Sequence, residues 1–185
     1  MNNIEIECRF LEIDKEAIIK KLHEIGAVDE GEVMLEEAII YNPDDSWRKD
    51  NRFVRVRKSG DTISLSYKEH RTHTIDGTFE IELHVDDYDK AVQFLEATGL
   101  KTYRRQQKKR HTFTLDGVTF DIDTWPRIPA YIEIEGDSEE KVKKAAIAIG
   151  LDYSKAVFEN ASVVIEEVYK IPVKSMKWFT FDRFE

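Results

Sequence analysis

Six short segments of the chain alternate apolar residues with polar or charged ones, the pattern of β-strands that have one apolar and one polar face. The first, Ile4 to Phe10, reads Ile-Glu-Ile-Glu-Cys-Arg-Phe. Successive side chains on a strand point to opposite faces, so its glutamate and arginine residues share one face. The pattern recurs at residues 54–57, 63–68, 79–83, 120–123 and 132–135. In each of these five segments the charges have one sign, which indicates that these faces line an interior space rather than form an ordinary solvated surface.

The remaining signals place these segments in a chain of hairpins and helices. Asp116-Gly117 is the strongest local turn signal and joins two strands directly. Caps at Asp14 and Ser138 and stops at Gly26, Gly99 and Gly150 mark helix ends. The predicted strands after the first are 33–41, 52–58, 62–69, 77–85, 101–115, 118–124 and 131–135, with a loop at 42–46. The predicted helices are 14–25, 87–97, 138–150 and 161–168.

This order predicts an α+β fold: a closed, eight-stranded antiparallel β-barrel with a charged interior and helices packed outside. Eight strands enclose a space wide enough for side chains or one small ligand. Buried charge costs several kcal/mol per ion unless it is paired. We therefore expect a polyanion to bind the Arg and Lys rows and a divalent cation to bind the Glu and Asp rows.

Composition agrees with one main domain. The chain has 185 residues, of which 41% are hydrophobic. We expect a barrel domain at residues 1–150. Residues 151–185 would add a helix and an aromatic tail. The tail would pack on the barrel, pack on the partner subunit of a homodimer, or form a lid over the site. Cys8 is the only cysteine, and its place on the apolar face predicts a core residue.

Net charge and hydropathy limit the binding partners and the cellular location that we expect for the protein. The net charge of −9 argues against nucleic acid as the main partner. No run of 18 apolar residues and no signal-like N-terminus is present, so we expect no membrane partner and a cytoplasmic location. The five histidines show no local metal-ligand spacing, and we assign them to surface, strand or loop positions.

Seven ordered motifs then resemble one family. Glu5-Ile-Glu7-Cys-Arg9 resembles the Glu-x-Glu-x-Lys signature of the CYTH proteins, or triphosphate tunnel metalloenzymes. These include class IV adenylate cyclases, thiamine triphosphatases and inorganic triphosphatases. The other resembling motifs are Arg55-x-Arg57, Lys68, Glu80-x-Glu82, Lys108-x-Arg110, Asp121-x-Asp123 and Glu133-x-Glu135.

The resemblance implies a role for each row. The triphosphate would be bound by six side chains with phosphate-binding donors: Arg9, Arg55, Arg57, Lys68, Lys108 and Arg110. Mg²⁺ or Mn²⁺ would be held by the carboxylates of Glu5, Glu7, Asp123, Glu133 and Glu135. Three more carboxylates would ligate the metal or orient the basic row: Glu80, Glu82 and Asp121. Lys68 and Arg9 would take part in catalysis.

Two departures from the family pattern matter. Arg9 stands where the family usually has lysine, and an arginine is never deprotonated in proteins. If that lysine serves as a base, this chain must rely on Lys68 or on water activated by the metal. The segment before Glu133 also lacks the glycine-containing turn that we associate with cyclase-like members.

Three functions follow as hypotheses. The first is a divalent-metal-dependent phosphohydrolase acting on a nucleoside, thiamine or inorganic triphosphate. The second is a class IV adenylate cyclase that converts ATP to cyclic AMP and pyrophosphate. The third is a polyphosphate- or nucleotide-binding module without turnover, which the complete carboxylate rows disfavour because a polyanion binder gains nothing from them.

Overall fold

A computed structural model describes residues 3–185 as a closed antiparallel barrel with helices outside it. The strands are β1 (Ile4–Phe10), β2 (Val28–Tyr41), β3 (Arg52–Ser59), β4 (Thr62–His70), β5 (Thr78–His84), β6 (Lys101–Leu115), β7 (Val118–Thr124), β8 (Tyr131–Gly136) and β9 (Trp178–Phe179). The sheet order is β2-β3-β4-β5-β1-β8-β7-β6-β9, and pairing of β2 with β6 closes the first eight strands. The predicted eight-stranded antiparallel barrel is confirmed, and β9 adds a short parallel strand to the edge of β6.

Five helices accompany the strands: α1 (Lys15–Glu24), α2 (Ser46–Lys49), α3 (Tyr88–Ala97), α4 (Glu139–Ala148) and α5 (Ala161–Glu167). Side chains cap three of them, because the first backbone N–H groups of a helix have no partner within it. Asp14 accepts from the N–H of Ala17 at 3.1 Å, and Asp87 accepts from that of Lys90 at 2.9 Å. Asn160 caps α5 in the same way. None of the helices within residues 3–185 combines the length and the apolar character needed to cross a bilayer.

The hydrophobic core lies between the outer wall of the barrel and the helices. Leu22 of α1 and Val142 of α4 pack in one cluster with Cys8, Ile122 and Ile134, all fully buried. On the opposite side, α3 packs against the outward residues of β2 and β3 in a second cluster. The apolar faces of the alternating strands therefore point outward, and their charged faces point into the barrel.

The segment after residue 150 packs against one end of the barrel. In a third cluster, Ile165 of α5, Val173 and Phe179 lie against Trp125 and Tyr131. The rings of Trp125 and Phe179 stack with their centroids 5.6 Å apart. Much of the apolar surface of the tail is thus covered by its own chain.

The seam between β1 and β5 is the junction of the barrel wall with the fewest paired residues. Within residues 3–185, two residue pairs join these strands, at Ile4 and Glu5 of β1, and the N–H of Glu80 also donates to the carbonyl of Asn3. Farther along β1, the N–H of Glu7 donates to the carbonyl of Ile75, and Arg9 exchanges two backbone hydrogen bonds with Val157. The turn between β4 and β5 and the segment around residue 157 thus complete the wall.

The structure differs from the predicted elements in three places. Strand β2 begins at Val28 rather than residue 33, because a bulge at Gly31, where φ is +88°, carries the pairing with β6 through a polar stretch. The loop predicted at 42–46 leads into the single turn of α2. Strand β9 is only two residues long, too short to give a periodic signal.

Candidate active site

The interior of the barrel is a cavity of about 320 Å³ to which all eight barrel strands contribute charged side chains. Of the fourteen side chains singled out from the sequence, thirteen line it: Glu5, Glu7, Arg9, Arg55, Arg57, Lys68, Glu80, Glu82, Lys108, Arg110, Asp121, Glu133 and Glu135. The alternate residues do not line it: Ile6, Val54, Leu65, Ile81, Ile122 and Ile134. The strand periodicity thus assigns the side chains to the correct faces.

Asp123 is the predicted site residue that does not line the cavity. It is fully buried behind two basic side chains. Its Oδ1 accepts from Arg110 Nε at 2.7 Å, while Oδ2 accepts from Lys108 Nζ at 2.5 Å and Arg110 Nη2 at 2.7 Å. Both oxygens are occupied, so in this state Asp123 fixes the positions of Lys108 and Arg110.

Glu133 joins two of the predicted phosphate ligands. Its Oε1 accepts from Arg9 Nε at 2.7 Å, and its Oε2 accepts from Arg110. The second nitrogen of the Arg9 fork donates to Glu7 Oε1 at 2.8 Å. Burial opposes ionisation of Glu133, but the charges of Arg9, Lys108 and Arg110 hold its pKa well below its usual range. Glu133 is therefore ionised, and both of its carboxylate oxygens are paired with arginine side chains.

Lys68 is the centre of a second network near β1 and β5. Its Nζ lies 2.8 Å from Glu5 Oε1 and 3.0 Å from Glu80 Oε2. Arg55 Nη2 lies 3.3 Å from the other oxygen of Glu80 and 3.9 Å from Glu82. Burial disfavours the lysine charge, but Glu5 and Glu80 raise the pKa of Lys68. Lys68 is consequently a charged donor here rather than a proton acceptor.

One end of the cavity has an excess of carboxylates. Glu7 and Glu135 lie directly opposite each other on β1 and β8. Partial burial and the charge of Glu7 raise the pKa of Glu135 to about 7, although Glu135 is exposed at the rim. Burial, together with the hydrogen-bonded carboxylate of Glu80, raises the pKa of Glu5 to about 8 despite Lys68. Like charges opposite each other destabilise a sheet unless a proton or a cation separates them.

Among the interior residues that sequence reasoning missed, three belong to the network of charged and hydrogen-bonded side chains. Glu37 of β2 is buried and accepts from Arg57 Nε at 2.6 Å and from Gln106 Nε2. Arg104 and Gln106 precede Lys108 at the same parity on β6, and Arg104 Nε donates to Gln106 Oε1 at 2.7 Å. Both could have been found from the sequence, because every second residue before Lys108 on the strand points to the same side as Lys108. Glu37 gives no such signal, because the next inward residues of β2, Ile39 and Tyr41, are not charged.

A closed barrel with opposed rows of cations and carboxylates inside it defines a charged-tunnel protein. The sequence model of the CYTH domain matches residues 3–163, and the chain belongs to the CYTH domain family. The match extends beyond residue 150, so the family domain includes the beginning of α5.

Individual relatives are more distant. A protein of Methanocaldococcus jannaschii named "Putative adenylate cyclase MJ0240" is 24% identical over 144 residues, covering 76% of this chain and 82% of that protein. A solved structure from Vibrio parahaemolyticus, also named as a putative adenylate cyclase, is 13% identical with a TM-score of 0.77, covering 90% of this chain and 99% of the other. A Hippeastrum structure, named as a putative adenylyl cyclase with a dominant triphosphatase activity, is 14% identical with a TM-score of 0.63, covering 89% and 95%. The structures share the fold, and the family includes proteins named for both activities.

Proposed function

We propose that the chain is a divalent-metal-dependent phosphohydrolase that cleaves the terminal phosphoryl group of a triphosphate. The observation that carries the proposal is the convergence of seven basic side chains on one cavity: Arg9, Arg55, Arg57, Lys68, Arg104, Lys108 and Arg110. A linear triphosphate has three adjoining anionic groups and needs a row of donors of this kind. Arginine forks suit paired phosphate oxygens.

The carboxylates at the acidic end fit a hard divalent cation. Oxygen donors alone are what Mg²⁺ and Mn²⁺ prefer. Burial and neighbouring carboxylates raise the pKa values of Glu5 and Glu135, so negative charge is disfavoured at this end of the cavity and a bound cation would relieve it. We propose that Glu5, Glu7 and Glu135 hold the cation. When bound, it would neutralise charge on the phosphoryl oxygens and favour attack by water.

Entry of the substrate would exchange partners inside the tunnel. Arg9, Arg110 and Lys108 are held now by carboxylates, and phosphate oxygens would take over many of these donors. The predicted metal ligands Glu133 and Asp123 would then be partly freed, so both remain candidates in the loaded state. We assign them first to orienting the basic row, because each pairs with two basic side chains, whereas Glu5 and Glu7 each pair with one.

Arg9 and Lys68 act as charged donors in this proposal. Both are protonated, since neighbouring carboxylates raise the pKa of each against the opposing effect of burial. They would hold the phosphoryl oxygens while water attacks the terminal phosphorus and the bridging P–O bond breaks. Phosphoryl transfer depends mainly on such positioning and charge neutralisation.

Adenylate cyclase is the second candidate, and two observations favour it. The relative from Methanocaldococcus jannaschii is named for that activity. A second pocket of about 280 Å³ adjoins the cavity and shares Tyr41 and Phe53 with it. This pocket offers aromatic surface for a nucleoside attached to the triphosphate, and Arg48 at its edge stacks on Tyr103 with 4.1 Å between Cζ and the ring centroid.

The experiment that tests the proposal is an analysis of products. The protein is incubated with tripolyphosphate, thiamine triphosphate or ATP and with Mg²⁺ or Mn²⁺, and phosphate, diphosphate, ADP and cyclic AMP are resolved. We expect phosphate and the corresponding diphosphate, and Glu135→Gln should lose activity that excess metal partly restores. Cyclic AMP with pyrophosphate would establish the cyclase instead. Tight binding without any product would establish the binding module.

A further inference from the structure

Two histidines and a glutamate meet beside the seam between β1 and β5, where His70 also lines the wall of the tunnel cavity. His70 ends β4, His73 lies in the turn that follows, and Glu159 lies just before α5. One possible ligand atom from each side chain lies within 4.8 Å of those from the other two. We propose that these three residues form a second metal site, separate from the tunnel carboxylates, that takes Zn²⁺ or a chemically similar ion.

The distances are close to those of a metal site. A tetrahedral zinc ion with bonds of about 2.1 Å separates its ligand atoms by about 3.4 Å. His73 Nδ1 and Glu159 Oε1 are 2.7 Å apart and would need to separate slightly. The imidazole rings of His70 and His73 have centroids 5.8 Å apart at 72°, so the two rings do not stack. The three ligand atoms, which lie within 4.8 Å of one another, would have to move closer together around one ion.

The ligand atoms are available. Nε2 of His70 and Oε2 of Glu159 are both buried, and neither has a hydrogen-bond partner within residues 3–185. Buried polar atoms without partners are rare, and an absent ion is one of the usual reasons. Nδ1 of His70 lies 3.0 Å from Thr78 Oγ1. If that nitrogen carries the proton, the lone pair of Nε2 is free, which is the arrangement found behind metal-bound histidines.

The protonation state and the types of the ligands also suit a transition-metal ion. Burial and the nearby guanidinium of Arg9 lower the pKa of His70, so its imidazole is neutral at neutral pH. Neutral imidazole binds metals, whereas imidazolium does not. Two imidazoles and one carboxylate suit Zn²⁺ rather than Mg²⁺, which prefers oxygen ligands.

The position of the site suggests what the metal would do. It would join the turn between β4 and β5 to the segment at residues 157–160, the two pieces that complete the wall along β1. Arg9 Nη1 donates to the backbone carbonyl of Glu159 at 2.6 Å, and the next residue, Asn160, caps α5 and lines the tunnel. A metal on Glu159 would therefore fix the seam, the start of α5 and the partner of Arg9 together.

The test is a titration of the full chain, stripped with chelator and then supplied with millimolar Mg²⁺. We expect one equivalent of Zn²⁺ to bind, Co²⁺ to give the intense visible absorption of a tetrahedral site, and Zn²⁺ to raise Tm. His73→Ala and Glu159→Gln should each weaken Zn²⁺ binding at least tenfold, which is the loss caused by removing even an outer-shell partner. His84→Ala is the matched control, since His84 is an exposed histidine on β5 outside the cluster. Its affinity should equal that of the unchanged chain.

Other variants separate this site from the tunnel. Glu135→Gln should retain the zinc site, because Glu135 belongs to the tunnel cluster. The side chain of His73 is 70% exposed, so His73→Ala should fold and melt like the unchanged protein without metal. The proposal is overturned if the unchanged chain does not bind Zn²⁺, or if His73→Ala and Glu159→Gln bind it as tightly as His84→Ala. It is also overturned if Glu135→Gln abolishes the binding.

Discussion

Glu37 allows the pairing inside the tunnel to be tested without touching the proposed metal ligands. Its carboxylate is 2% exposed and accepts from Arg57 Nε, and Arg55 Nη1 lies 3.9 Å away. Although burial opposes ionisation, the charges of Arg57 and Arg55 lower the pKa of Glu37 far below the usual range. Glu37→Gln keeps the shape and one acceptor but leaves Arg57 without its negative partner, while Arg55 retains Glu80 and Glu82.

Removing one partner of a buried ion pair costs about 3–5 kcal/mol. The glutamine oxygen can still accept from Arg57, so we take the lower end, about 3 kcal/mol, which lowers Tm by roughly 6–12 °C in a domain of this size. Tripolyphosphate should offset the loss, because its oxygens can pair with the freed arginine. Its stabilising effect should therefore be larger in Glu37→Gln than in the unchanged protein.

The assay is urea or thermal unfolding with and without tripolyphosphate. Glu36→Gln is the control, because Glu36 is the exposed neighbour on the other face of β2. The pH dependence has a definite sign. A lowered folded pKa stabilises the protein above the unfolded value of 4.5, so the difference between the variant and the unchanged protein should shrink as the pH falls below about 4.5. If Glu37→Gln is as stable as Glu36→Gln at neutral pH and gains no extra stability from tripolyphosphate, the pairing argument is wrong.

Three further outcomes are expected. In chelator, the free energy of unfolding measured in urea titrations should fall as the pH rises from 4.5 toward 8. The reason is that the pKa of Glu5 is about 8 in the folded protein, whereas it is 4.5 in the unfolded chain. Glu5→Gln should make this pH dependence less steep. Arg57→Ala should weaken tripolyphosphate binding, measured by calorimetry, about 10–100-fold, which corresponds to the loss of one hydrogen bond between charged groups. Added metal should not restore the binding. Lys58→Ala, which changes a residue on the exposed face, should bind tripolyphosphate normally. Gly77→Ala should destabilise the protein by about 1–3 kcal/mol in the same unfolding assay, because a Cβ there would lie 2.1 Å from the carbonyl oxygen of Thr72; unchanged stability would mean that the turn has more room than this distance indicates.

The barrel was predictable because its information is local and repeated. Each strand has its own alternation of apolar and polar residues. Charge of one sign on alternate residues, such as Arg55 and Arg57, identifies the inner face without knowledge of the neighbouring strands. Closure of the barrel follows from the number of strands and their hairpin connections. The ends of elements were less predictable, as β2 shows, because a bulge and pairing with β6 extend it through Asp-Glu-Gly-Glu, a sequence that resembles a loop.

The missed features depend on residues that are distant in sequence. Glu37 lies inside only because β2 pairs with β3 and β6, opposite Arg57 and Gln106. The histidine cluster needs Glu159, which follows His73 by 86 residues, so no local spacing could reveal it. The paired state of Asp123 likewise depends on two side chains of the neighbouring strand, and the sequence pattern shows only that it points inward.

The central claim is that one tunnel holds a triphosphate on its basic rows and a divalent cation on its acidic end. The most direct measurement is anomalous diffraction from crystals soaked with Mn²⁺ and a non-hydrolysable triphosphate. We predict a manganese peak inside the barrel, bound by oxygens of Glu5, Glu7 or Glu135 and of the triphosphate, with Arg55 and Arg57 contacting phosphate oxygens. A triphosphate on the outer surface, or manganese bound with none of the tunnel carboxylates, would contradict the account.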